Sequence, residues 1–180
     1  SAASDVYKRQ LKSSEYTIAE ALKDNGYSTF IAGKWHLSRG KSGSSPEEQG
    51  FDQNYGGGDS GVPKSYFYPY NIQTRGRGNE NAPDITKLPE VEKGYHLTDQ
   101  LTDLTLDWID KNYVSKKSKK PFFIYLSHYE VHTPFEGKLD LEEKYKAKAE
   151  RLYEGKNLKN PFSFESTTGE TKLRQDNHIY

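Results

Sequence analysis

Five consecutive apolar side chains, Phe122, Phe123, Ile124, Tyr125 and Leu126, stand between Pro121 and Ser127-His128. A run this short and this uniformly apolar reads as a β-strand covered on both faces, because a half-exposed strand would alternate apolar with polar. Strands of that kind belong to parallel sheets layered with helices. The segment upstream agrees. Leu97, Leu101, Leu104 and Trp108 recur at helical spacing, with Ile109 beside Trp108 and with Asp99, Asp103 and Asp107 turned elsewhere, which predicts a helix over Leu97 to Val114. Earlier still, Ser28 to Ala32 reads as a buried strand centred on Phe30 and Ile31. It follows a short helix over Tyr16 to Tyr27, in which Ile18, Ala19 and Leu22 share a face and Asn25-Gly26 ends the helix. Strand, helix and strand in that order require a crossover and a parallel pair. The expected fold class is therefore α/β, with a mainly parallel sheet in a layered sandwich.

Between these elements, Ser38 to about Gly94 reads as a long excursion. It holds Gly56-Gly57-Gly58 and an aromatic cluster at Tyr66, Phe67, Tyr68 and Tyr70. A flexible linker would lack those rings, so the stretch is expected to pack against a larger body, with packing favoured over sugar stacking as the role of the cluster. Ser115 to Lys120 reads as a basic turn, and the chain beyond Leu139 as charged and helical. Only 32 % of the side chains are hydrophobic, against about 45–50 % on a similar count for typical domains. So little core for so many polar stretches suggests part of something bigger.

Charge is balanced, with 26 basic and 26 acidic residues, which gives no electrostatic case for nucleic acid or an anionic membrane as partner. There is no cysteine, hence no disulfide framework and no thiolate metal site. No apolar run approaches the roughly 18 residues that span a bilayer. Residues 1–10, from Ser1 to Gln10, back-translate to a transposon adapter used in sequencing libraries. They are expected to be an artefact, with residues 11–180 a fragment truncated at both ends and Gln10 a junction. Any export signal would then lie outside what is seen.

Two segments stand out as candidates to carry chemistry. Gly33-Lys34-Trp35-His36-Leu37 follows the first predicted strand, and Ser127-His128-Tyr129-Glu130-Val131-His132-Thr133-Pro134 follows the last. Ligands of parallel sheets sit beyond the carboxyl ends of strands, so both segments are placed to share one pocket. Lys34 is a compact charge suited to an oxyanion, and His36 and His132 are suited to proton transfer near neutral pH. Ordinary loop and packing roles for these residues are the alternative that position and residue type leave open.

The stretch Tyr16 to Leu37, a helix, then Gly-Tyr, small residues and Gly-Lys-Trp-His-Leu, resembles the second signature of the sulfatase family. Pro121 to Pro134 is similar to that family's later strand ending in His-x-Pro, and Gly50-Phe51-Asp52 resembles a common stretch between the two. The resemblance implies an alkaline-phosphatase-like fold, seen in part, and hydrolysis of a sulfate ester on a small molecule or, more specifically, a carbohydrate. It implies Lys34 contacting the sulfate. It places His36 beside a formylglycine nucleophile to help expel sulfate from the covalent intermediate. It has His132 contacting the sulfate and helping to protonate the departing alcohol. It also implies calcium as cofactor, and a periplasmic or secreted location.

The family's Cys/Ser-x-Pro/Ala-x-Arg motif does not occur. Ser44-Ser45-Pro46 lacks the Arg and lies on the wrong side of Lys34. The first calcium-binding Asp pair would precede Tyr16. Asp176-Asn177 follows a polar stretch with no Gly after it, and is rejected as the second pair. No residue of the chain is therefore assigned to metal, and the fragment alone is expected to be inactive. Of the remaining histidines, His96 reads as a helix-boundary residue, His128 as packing that flanks the pocket, and His178 as unsupported. Two alternatives stand beside this reading. One is a phosphate mono- or diester hydrolase of the same superfamily, and the other a non-catalytic sugar-binding relative.

Overall fold

The computed structural model describes residues 11–38, 44–72, 84–116 and 118–153. These fall into two compact units divided after Glu136. The expectations for residues 1–10, Asp176-Asn177 and His178 lie outside the described residues.

The first unit is built on a three-stranded sheet in the order β2-β1-β3, with β1 at Ser28–Gly33, β2 at Gln53–Tyr55 and β3 at Phe122–Ser127. Both pairings are parallel, and β1 and β3 match residue for residue from Ser28↔Phe122 to Gly33↔Ser127. The α/β class with a parallel sheet is thus as expected. β2 is an addition, since the sequence reading had only loop there.

Helix α1, Ile18–Asp24, begins with Thr17, whose side chain accepts from the Glu20 N–H while the Glu20 carboxylate accepts from the Thr17 N–H. This reciprocal cap satisfies two of the helix's orphan donors. Asn25 closes the helix and Gly26 follows at φ 85°, as the Asn-Gly pair predicted. The apolar face is narrower than expected: Ala19 is buried, but Ile18 lies in water.

Alternation along β1 sends side chains into two cores. Phe30 and Ala32 join Tyr66, Tyr70, Ile85, Leu97, Leu101 and Tyr129 on one face. Ile31 joins Ala19 and Phe51 on the other, with Trp35 and Phe123 alongside. Full burial of a side chain such as Phe30 or Ile31 contributes about 1.5–3 kcal/mol, so β1 is the element on which both layers depend.

Helix α2 spans Leu97–Ile109 and widens into a π-helical turn over Asp110–Ser115. Leu97, Leu101 and Thr105 are buried, and Trp108 packs on Phe30 with ring centroids 4.9 Å apart. The aromatic cluster packs, as favoured: Tyr66 and Tyr70 lie in the core.

β3 departs from expectation. Instead of being covered on both faces, it is an edge strand with Phe122, Tyr125 and Leu126 exposed. The described residues supply a partner on one side only, so the apolar run exceeds what they bury. In the second unit, helix α3 spans Leu139–Tyr153, and its charged composition matches the expectation.

The Gly50-Phe51-Asp52 stretch locks α1 to the sheet. At Gly50, φ is +94° and an added Cβ would lie 2.5 Å from the Glu20 nitrogen, so only glycine passes. Phe51 stacks on Phe123 at 6.0 Å. The Asp52 carboxylate accepts from the Thr29 N–H at 3.0 Å and pairs with Lys23 at 2.8 Å. Partial burial opposes its ionised form, but the Lys23 ammonium and Thr29 outweigh it and hold the carboxyl below its ordinary value. A depressed folded-state value contributes stability above the unfolded value, which is lost as pH falls through the folded one. Between about pH 5 and pH 3 the wild-type urea midpoint should therefore fall more than that of Asp52→Asn. Equal slopes would show that the Lys23–Asp52 pair contributes nothing.

Candidate active site at the carboxyl ends of the parallel strands

Gly33 and Ser127, the last residues of β1 and β3, are register partners. Both candidate segments therefore leave the sheet side by side at the same end. Gly33 takes φ +105°, and a Cβ there would lie 1.8 Å from the Ser127 carbonyl oxygen. The next residue seals the junction, as the Lys34 N–H donates to the Ser127 carbonyl at 2.7 Å. Lys34 is half-buried.

Beyond Lys34, Trp35 donates its indole N–H to the Ser44 carbonyl at 2.9 Å and lies edge-on to Phe51. His36 takes a left-handed backbone, φ 57°, and its N–H donates to the Gly58 carbonyl at 2.9 Å. Its exposed ring lies over Gly61, where a Cβ would come within 2.4 Å of the ring carbon Cε1. Ser44-Ser45-Pro46 has a structural part. The Ser45 hydroxyl and N–H pair with Glu48 as the cap of a turn, and Pro46 is buried.

The second segment starts with a buried tyrosine. The Tyr129 hydroxyl donates to the Gly56 carbonyl at 2.8 Å, and burial pushes the phenol well above its ordinary pKa. The glycine run at 56–58 thus braces both segments, through Gly58 to His36 and through Gly56 to Tyr129. Asn54 shapes that run by accepting from the Gly57 N–H and donating to the Gly57 carbonyl, each at 2.9 Å. Glu130 accepts from the Thr98 hydroxyl at 2.6 Å and faces His96 Nε2 at 3.4 Å. His96 is the boundary residue that precedes α2, as expected, and it is buried against Tyr66 and Phe67. His128 is half-buried.

His132 is exposed. Its N–H donates to the Tyr129 carbonyl at 3.1 Å, and its own carbonyl accepts from the Tyr66 hydroxyl at 3.0 Å. Ring Nδ1 lies 3.2 Å from the Thr133 carbonyl and 3.1 Å from the Thr133 hydroxyl. A carbonyl only accepts, so this contact fits a proton on Nδ1 and leaves Nε2 as the nitrogen free to exchange one. Further on, the buried Glu136 carboxylate accepts from the Ser65 hydroxyl at 2.9 Å and the Tyr66 N–H at 2.7 Å.

The structure thus joins the two predicted segments through their backbones. It adds Tyr66, Glu136 and the glycine run, which the sequence reading did not assign to the site. Tyr66 and His132 lie 66 residues apart, and no local pattern links residues at that distance. Among the described residues, no three His, Asp or Glu side chains gather to hold a metal ion. The described residues do not fit the calcium that the resemblance implied.

The family model described as Sulfatase matches residues 1–176. An arylsulfatase of Hemicentrotus pulcherrimus is 31% identical over 145 residues, which cover 70% of this chain and 23% of that protein. An N-acetylgalactosamine-6-sulfatase of Mus musculus is 29% identical over 136 residues, covering 69% of this chain and 24% of that protein. The chain thus spans about a quarter of the length of these curated relatives. A solved structure of Ps i-CgsB in complex with k-i-k-neocarrahexaose is similar at a TM-score of 0.47 and 23% identity, covering 76% of this chain and 33% of that one.

Proposed function

Because this chain belongs to the sulfatase family, we propose that it contributes the anion-holding and proton-transfer side of the active site in a longer enzyme that hydrolyses sulfate esters. The observation that carries this reading is the seam at Gly33 and Ser127, which sets Lys34 and the His132 loop at one end of one sheet. In this reading the Lys34 ammonium holds a sulfate oxygen and stabilises the charge that builds as the ester breaks. An oxygen nucleophile supplied from outside this segment forms the new bond to sulfur. The bond from sulfur to the ester oxygen breaks, and its electron pair stays on that oxygen. His132 donates the Nε2 proton to it. His36, held by Gly58, assists the later expulsion of sulfate.

The substrate is a sulfated carbohydrate or small molecule; arylsulfatases and N-acetylgalactosamine-6-sulfatases are both among the relatives. Calcium, if the longer protein uses it, takes its ligands from other residues, and no step here is drawn through it. The 180 residues alone are inactive in this reading, and an exported location suits a polysaccharide substrate. Among the described residues no helix is long and apolar enough to cross a membrane.

The test is hydrolysis by the full-length protein of 4-nitrophenyl sulfate beside 4-nitrophenyl phosphate. Preference for the sulfate is expected. Preference for the phosphate would move the protein to the phosphate-ester alternative, and binding of a sulfated sugar without turnover of either would move it to the sugar-binding one.

A further inference from the structure

Tyr66 is held at both ends by the loop that carries His132. Its N–H donates to the Glu136 carboxylate at 2.7 Å, and its hydroxyl donates to the His132 carbonyl at 3.0 Å. Its own carbonyl accepts from the N–H of Leu97, the first residue of α2, at 2.8 Å. The side chain is 2 % exposed, and its ring stacks on His96 at 6.0 Å with the planes 15° apart. Packing alone would be served by phenylalanine. A hydroxyl carried into the core to meet one carbonyl does something more specific, because a buried hydrogen bond fixes the position of its acceptor.

We propose that Tyr66 is a positioning residue for His132, with Glu136 anchoring the tyrosine in turn. The phenol fixes the His132 carbonyl, which bonds to the same Cα that bears the imidazole. The ring then keeps Nδ1 on Thr133 and presents Nε2 as the proton-bearing nitrogen. Without the phenol the loop keeps its Tyr129 and Glu136 contacts, but the imidazole loses its fixed height over the leaving group. Proton transfer is sensitive to such placement, since the donor must lie within hydrogen-bond reach of the departing oxygen. The inference rests on His132 being the acid that protonates that oxygen.

The experiment compares two aryl sulfates on the full-length protein. A departing 4-nitrophenolate is stable enough to leave with little help, whereas phenolate needs a proton. Tyr66→Phe should lower kcat about tenfold on phenyl sulfate and less than about threefold on 4-nitrophenyl sulfate, with KM little changed. His132→Ala should show the same selectivity with a loss of about a hundredfold on phenyl sulfate. If His132→Ala affects both esters equally, the acid role of His132 fails and the inference goes with it. If His132→Ala is selective and Tyr66→Phe is not, positioning by Tyr66 alone is overturned. Should Tyr66→Phe not fold, Glu136→Gln, which keeps size and one acceptor, carries the test: selective loss supports the proposal, and uniform loss or none overturns it.

Discussion

Replacing Gly33 with alanine is expected to cost the protein more stability than the same change at any other described glycine of the first unit. Two independent penalties meet there. The backbone sits at φ +105°, where an L-residue pays about 1–3 kcal/mol for a sparsely populated conformation. The new methyl would also lie 1.8 Å from the Ser127 carbonyl oxygen, well inside van der Waals contact. That oxygen belongs to strand backbone and already accepts from the Lys34 N–H, so it has no rotamer to swing away. Parting the strands far enough forfeits hydrogen bonds at about 1 kcal/mol each. Together the losses reach about 3–5 kcal/mol, a large share of the 5–15 kcal/mol that holds a typical domain. Gly26→Ala is the control, because Gly26 also has positive φ but nothing within 4 Å of an added Cβ. It should lose only about 1 kcal/mol. Urea midpoints decide the matter, and a Gly33→Ala loss no larger than that of Gly26→Ala would mean that the seam between β1 and β3 is looser than described.

Lys34→Met should leave the unfolding midpoint of the full-length protein nearly unchanged and lower kcat/KM on 4-nitrophenyl sulfate by about 10²–10³. The side chain is half-buried, and the backbone bond from the residue's N–H to Ser127 survives the substitution. What disappears is the positive charge that, in the proposed function, holds the sulfate oxygen. Lys34→Arg is expected to recover only part of the loss, since the planar guanidinium does not reproduce a compact point charge. Retention of full activity by Lys34→Met would remove the electrostatic basis of the proposed function. A large loss of stability instead would make Lys34 a structural residue.

The elements that announced themselves in the sequence are those whose own side chains make them. β1 and α2 carry Phe30, Ile31, Leu97 and Leu101 at the periodicity their burial needs, and the structure buries all four. β2 could not be read this way. It is three residues long and polar, and it is held by contacts its own pattern does not encode: pairing to Phe30, Ile31 and Ala32, and the Asn54 bonds to Gly57. Ile18 looked like core at helical spacing, but α1 is only two turns long and Ala19 is its one buried residue. Phe122, Tyr125 and Leu126 signalled a doubly covered strand, and they are exposed because the described residues place a neighbour on one side of β3 only. The adjacency of the two candidate segments was legible as two strand ends, since Gly-Lys-Trp-His and Ser-His-Tyr each follow an apolar run directly. The braces between those ends were not. Tyr129 reaches Gly56 across 73 residues and Tyr66 reaches His132 across 66, and spacing rules within one element say nothing at such separations.

Those separations bear on the order in which the molecule can assemble. The central strand's first pairing with β3 joins Ser28 to Phe122, so a long loop must close before that contact returns any stabilisation. During synthesis Lys34 therefore emerges well before the carbonyl that will seat it. The junction of the two strand ends is among the last features to form, and it is absent from any nascent chain that stops short of Ser127.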